Sequence, residues 1–174
     1  MAARAAQDRG ADMGDIAAAA TMAEFQWVII CERVLTEQPG KTRSFISILE
    51  RVSVPAPPPE LLERPNPPLV PFRYCTVSQW VRSKPTVGER VPGRLLLYGP
   101  NGKEFGKTEF VVDLTETPRA RIIAQASGFP LLGAGTYPCV VQTKARTTWR
   151  TVGQADFEVV YTDPAARRPS GSRH

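Results

Sequence analysis

Ala155-Asp-Phe-Glu-Val-Val-Tyr161 places Phe157, Val159 and Tyr161 on one side of an extended chain and Asp156 and Glu158 on the other. Successive side chains of a strand point to opposite faces, so this run reads as a strand with one face buried and one wet. Thr108-Glu-Phe-Val-Val-Asp-Leu114 repeats the pattern, with Phe110, Val112 and Leu114 against Glu109 and Asp113. Alternation of this kind belongs to antiparallel sheets, and it decides the fold class: the chain is expected to be all-β.

Working outward, six further runs read as strands. Phe25-Gln-Trp-Val-Ile-Ile-Cys31 is β-branched and aromatic, a strand buried on both faces, with Trp27 as a structural residue at its middle. A Pro39-Gly40 turn leads into Arg43 to Leu49, continuing to Val54, and the two runs form a hairpin. Phe72 to Val81, Val91 to Tyr98, Ala120 to Ala126 and Gly135 to Lys144 complete a set of eight. Asn101-Gly102, which favours positive φ, marks another hairpin turn. Seventeen prolines and thirteen glycines fit strands and turns, because proline removes a donor and clashes inside a helix. Eight strands at short spacing predict an antiparallel β-sandwich.

The boundaries of that domain are set by composition. Residues 1–22 form an Ala/Asp/Arg-rich leader with almost no large apolar side chains, expected to be disordered. Met22 stands directly before the first strand, so translation beginning there is one expectation. Residues 23–163 form a single domain, and the polar, basic tail 164–174 is expected to be disordered. Within the domain, Pro55 to Pro71 holds eight prolines in seventeen residues. It reads as an extended, polyproline-like strap crossing between sheets. Its alternative reading is a ligand for an SH3-like or WW-like partner, through Pro57, Pro58, Pro59, Pro67 and Pro68.

Charge and chemistry narrow the function classes. The formal charge of +5 is spread along the strands rather than gathered on one element with aromatics, which argues against nucleic-acid binding. No apolar run approaches the ~20 residues of a membrane-spanning helix. Cys31, Cys75 and Cys139 are odd in number and widely spaced, which suits a reducing compartment and a cytoplasmic location.

The single histidine, His174, ends the tail, so no histidine-based nucleophile or metal site is expected in a rigid part of the chain. Gly106-Lys107-Thr108 and Gly40-Lys41-Thr42 end like phosphate loops, but each lacks the first glycine and each runs into a strand rather than a helix. The cysteines form no zinc spacing. Glu32 and Glu50 sit in echoing segments beside Arg33 and Arg51, where ion pairing with those arginines is expected. No catalytic residue, cofactor or metal is therefore assigned, and the chain is read as a non-enzyme.

Gly135-Thr-Tyr137-Pro-Cys139 resembles the start of the strand that carries the tyrosine corner in immunoglobulin-like domains, with a tyrosine two residues before a cysteine. Cys75, on an earlier strand, stands where the partner cysteine belongs. The sequence departs from that pattern at Trp80, which follows Cys75 too closely. Both a Cys75–Cys139 bridge and two reduced core thiols fit these residues.

The runs Phe25 to Val34 and Ser44 to Pro55 also resemble the opening of an uncharacterised bacterial family, domain of unknown function 6941. Its members share a proline-containing strap, a Pro-x-Gly turn (Pro100-Asn-Gly102) and a Gly-x-Tyr strand start (Gly135-Thr-Tyr137). The resemblance spans roughly Ala23 to Asp163. It implies an immunoglobulin-like or fibronectin-like sandwich and implies no activity.

Together these readings predict a protein-interaction or scaffolding module with an unknown protein partner. It would act through a sheet edge, the first hairpin or the strap, and a sheet edge also offers a route to self-association. The alternative is a carbohydrate-binding or cell-surface appendage using Phe72, Tyr74 and Trp80 as an exposed row. A carboxylate-only enzyme is the third reading.

Overall fold

A computed structural model describes residues 23–37, 42–62 and 64–162. The expected leader, the Pro39-Gly40 turn and the basic tail lie outside them. Among the described residues eleven strands run in chain order: β1 (Glu24–Glu37), β2 (Thr42–Ile48), β3 (Arg51–Pro55), β4 (Leu69–Val70), β5 (Tyr74–Val81), β6 (Arg90–Tyr98), β7 (Glu104–Asp113), β8 (Arg119–Ala126), β9 (Phe129–Pro130), β10 (Gly135–Ala145) and β11 (Thr148–Thr162). One helical turn, α1 (Pro59–Leu62), interrupts them. The all-β expectation holds. Two sheets, ordered β2-β1-β5-β8 and β3-β11-β10-β6-β7, face each other, and β4 pairs with β9 beside them.

Three departures from the sequence reading have local causes. The second strand is not continuous to Val54. Ser47 takes a left-handed φ of 53°, and Leu49 N–H still bonds Ile30 C=O at 2.8 Å. The chain then bends at Glu50 and leaves β1 for β11. There β3 pairs in parallel, from Arg51↔Glu158 to Pro55↔Thr162, so the sheet is mixed rather than purely antiparallel. That split, with the two-residue strands β4 and β9, accounts for eleven strands where eight were expected. Finally, the strap is not wholly extended. Pro59 opens α1, where a missing N–H costs nothing, and Leu61 N–H closes the turn on Pro58 C=O.

Both sheets contribute to one apolar layer. Trp80 is fully buried, edge-on to Phe25 (5.3 Å) and Phe110 (6.3 Å), and its Nε1–H donates to Ser78 Oγ at 2.9 Å. Gly93 and Gly153 make room for those rings: a Cβ on Gly93 would collide with Phe110, and one on Gly153 with Phe25. At the other end Tyr74, Phe129, Tyr137 and Phe157 form a cluster in which Tyr137 stacks on Phe157 at 5.3 Å.

The Tyr137 hydroxyl ties down the chain before its own strand. It accepts from Leu132 N–H at 2.8 Å and donates to Gly133 C=O at 2.9 Å. The row Phe72, Tyr74, Trp80 is not exposed: Tyr74 and Trp80 are core and Phe72 is half-buried.

Candidate functional site

β1 is longer than its partners allow one sheet to hold. Its ladder with β5 ends at Cys31↔Cys75, whereas its ladder with β2 runs on from Cys31↔Ile48 to Glu37↔Thr42. Beyond Cys31 the two strands therefore leave the sheet as a two-stranded arm.

That arm lies back over the sheet's outer face. Val34 and Phe45, directly opposite in register, pack against Cys31, Cys75 and Val77 together with Trp27, Ile29 and Ile123. Phe45 meets Trp27 edge-on at 5.7 Å, and the Arg121 guanidinium lies 5.9 Å from the Phe45 ring. The alternation of β1 thus serves two layers, with Val28 and Ile30 in the core and Trp27, Ile29 and Cys31 under the arm. This is why the first run is apolar on both faces.

At the fork where the arm parts from β5, a cleft of about 500 Å³ opens. Its walls are Glu32 to Leu35 of β1, Arg73 to Cys75 at the start of β5, and Gln125 to Ser127 at the end of β8. Tyr74 pairs with Ala126 on β8, and β1 has no register partner for it, so β5 begins with one side unpaired. Leu35 is 47% exposed. Glu32, Arg33 and Arg73 make no ion pair among the described residues. An apolar wall beside an open strand end, with uncompensated charges of both signs, can accept an extended segment carrying apolar and charged side chains.

The expected pairing of the glutamates with their neighbouring arginines is not what forms. Arg51 bonds Glu158 across the parallel ladder (Nη2 at 2.8 Å, Nε at 2.9 Å), because that residue is its register partner. Glu32 instead lines the cleft.

Cys75 and Cys139 do not meet: they lie on opposite sides of β5. Cys75 faces outward under the arm, in register with Cys31, while Cys139 sits in the core with its Sγ 3.8 Å from Thr76 Oγ1. All three thiols are free and buried. Burial pushes the Cys139 thiol up to about 12. Burial, with the adjacent Cys75 second, raises that of Cys31.

The proline residues of the strap are dispersed. Pro58 and Pro59 are exposed, whereas Pro57, Pro67 and Pro68 are half-buried, and Pro68 C=O accepts from Leu131 N–H at 2.8 Å. Among the described residues no group of three or more His, Cys, Asp or Glu could hold a metal ion, and no helix is long and apolar enough to cross a membrane.

Sequence reasoning missed the cleft because its three walls come from segments around residues 34, 74 and 126. The usable signal was the first hairpin's apolar content on both faces, which demands a second covering layer. No family model matches the chain, and no curated protein matches it.

Proposed function

We propose that this chain is a non-enzymatic protein-interaction module whose binding site is the cleft at the fork of the first hairpin. The observation that carries the reading is the combination found there. An exposed Leu35 and an open strand end adjoin Glu32, Arg33 and Arg73, none of which has an ion-pair partner among the described residues. Its ligand is an extended segment of a partner protein, with an apolar side chain against Val34, Leu35 and Ala126 and a carboxylate toward Arg33 and Arg73. Charges left without partners at a half-apolar cleft make specificity available at little cost in the free state.

The scaffold is proposed to be an immunoglobulin-like sandwich, within the bacterial family whose hairpin and strap it resembles, acting in the cytoplasm. Three features support that reading. Two facing sheets share one core. An early strand, β3, lies parallel to the last one. The Tyr137 hydroxyl is bonded to backbone just upstream, as in a tyrosine corner. The carbohydrate-appendage reading loses its main support, since Tyr74 and Trp80 are core residues.

Affinity capture from the native host tests the site. The double variant Leu35→Asp/Arg73→Glu is compared with Pro58→Ser/Pro59→Ser in the strap. Loss of partners in the first and their retention in the second is the expected result. The reverse pattern would move the site to the strap.

A further inference from the structure

On the sheet side of the arm a second, smaller depression of about 240 Å³ is lined by Arg43, Gln79, Arg119, Ala120 and Arg121. The fold gathers these residues from three strands. Arg43 lies on β2 two positions before Phe45, hence on the arm face that covers the sheet. Arg119 and Arg121 are separated by one residue on β8 and share its outer side with Ile123. Gln79 is the register partner of Arg121 on β5.

Three arginines therefore line one depression, and no acidic residue lines it. Glu24 is two strands across from Arg119 by register and Glu116 lies three residues before it, but neither is part of the lining. Among the described residues none of the three arginines forms an ion pair, although Arg51 and Arg90 elsewhere on the surface do. Like charges brought to one depression repel, and an anion bound among them would offset that repulsion.

One of the three is also held in place. Arg121 Nε–H donates to Gln79 Oε1 at 2.9 Å, and Phe45 lies beneath its guanidinium. Among the described residues neither terminal nitrogen of Arg121 has a hydrogen-bond partner, so the two can donate as a planar fork, the geometry that matches phosphate oxygens in pairs. We propose that the Arg43–Arg119–Arg121 depression binds a phosphate dianion, free or carried as a monoester. Three cations around one small, open depression favour a doubly charged tetrahedral group over a singly charged carboxylate. A phosphodiester backbone would instead need basic groups repeated along a groove.

The test titrates the full chain at constant ionic strength, by NMR or calorimetry, with inorganic phosphate, N-acetyl-O-phosphoserine amide and a short single-stranded oligonucleotide. The proposal predicts saturable one-to-one binding of the first two, weakened at least tenfold in Arg119→Gln and in Arg121→Gln. Tighter binding of the phosphoserine amide assigns the ligand as an ester, and equal binding assigns free phosphate. In Arg43→Gln, on the arm, the same weakening is expected. The proposal is overturned by an absence of saturable binding, by affinity the three variants leave unchanged, or by an oligonucleotide that binds while the monoester does not.

Discussion

Replacing Tyr137 by phenylalanine removes one oxygen and leaves the ring stack on Phe157 in place. That oxygen makes two hydrogen bonds, one accepted from Leu132 N–H and one donated to Gly133 C=O. Each bond of this kind contributes about 0.5–1.5 kcal/mol, and the Leu132 amide, in a half-buried loop, is left without its acceptor. The expected loss is about 2 kcal/mol, which for a chain of this length lowers the melting temperature by roughly 4–8 °C.

Tyr74→Phe provides the internal comparison. Its hydroxyl is as deeply buried but has no hydrogen-bond partner among the described residues, so burying it contributes only a desolvation cost, and its removal should be neutral or stabilising. Urea and thermal unfolding of the two variants, with unchanged m-values, provide the assay. Equal losses in both variants would refute the reasoning, because bonding rather than burial is what separates the two hydroxyls.

Three other outcomes follow from the packing and the buried acids. Gly153→Val drives a side chain into the Phe25 ring and should cost about 1–3 kcal/mol. Most of that loss should be recovered in the double variant with Phe25→Leu, and no recovery would place the strain elsewhere. Cys139 is held up to about 12 against an ordinary 9.0, and Tyr74 to about 12 against 10.0, both by burial first. The folded state thus keeps protons that the unfolded chain gives up, so their contribution is complete below pH 9 and is lost as pH climbs from 9 toward 12. Urea midpoints should fall across that window, less steeply at first in Cys139→Ala, and a flat profile would contradict it. Finally, protein unfolded without reductant should expose three reactive thiols; a single one would mean a bridge and contradict the three free thiols of the structure.

Period-two alternation was legible wherever one face is buried against one partner, as in Thr108 to Leu114 and Ala155 to Tyr161, and the all-β class followed from it. The Tyr137–Cys139 spacing also pointed to a residue with a defined local role. Other features depend on contacts that no local pattern encodes. The break between β2 and β3 falls at a bend at Glu50, just after a left-handed Ser47, and the smooth apolar run conceals both. Parallel pairing of β3 with β11 joins residues 107 apart, such as Arg51 and Glu158. The spread of arginines one per strand looked like ordinary solvated positions. Only the arm's return over the sheet brings Arg43 beside Arg119 and Arg121.

The proposed binding role of the cleft meets its most direct test in site-specific photo-crosslinking within the native host. A photoreactive amino acid is placed at position 35, in the cleft, and separately at position 111, an equally exposed position on β7 outside the cleft. A discrete adduct with a partner protein at position 35 and none at 111 is the predicted result. Adducts at 111 alone would contradict the assignment of the cleft.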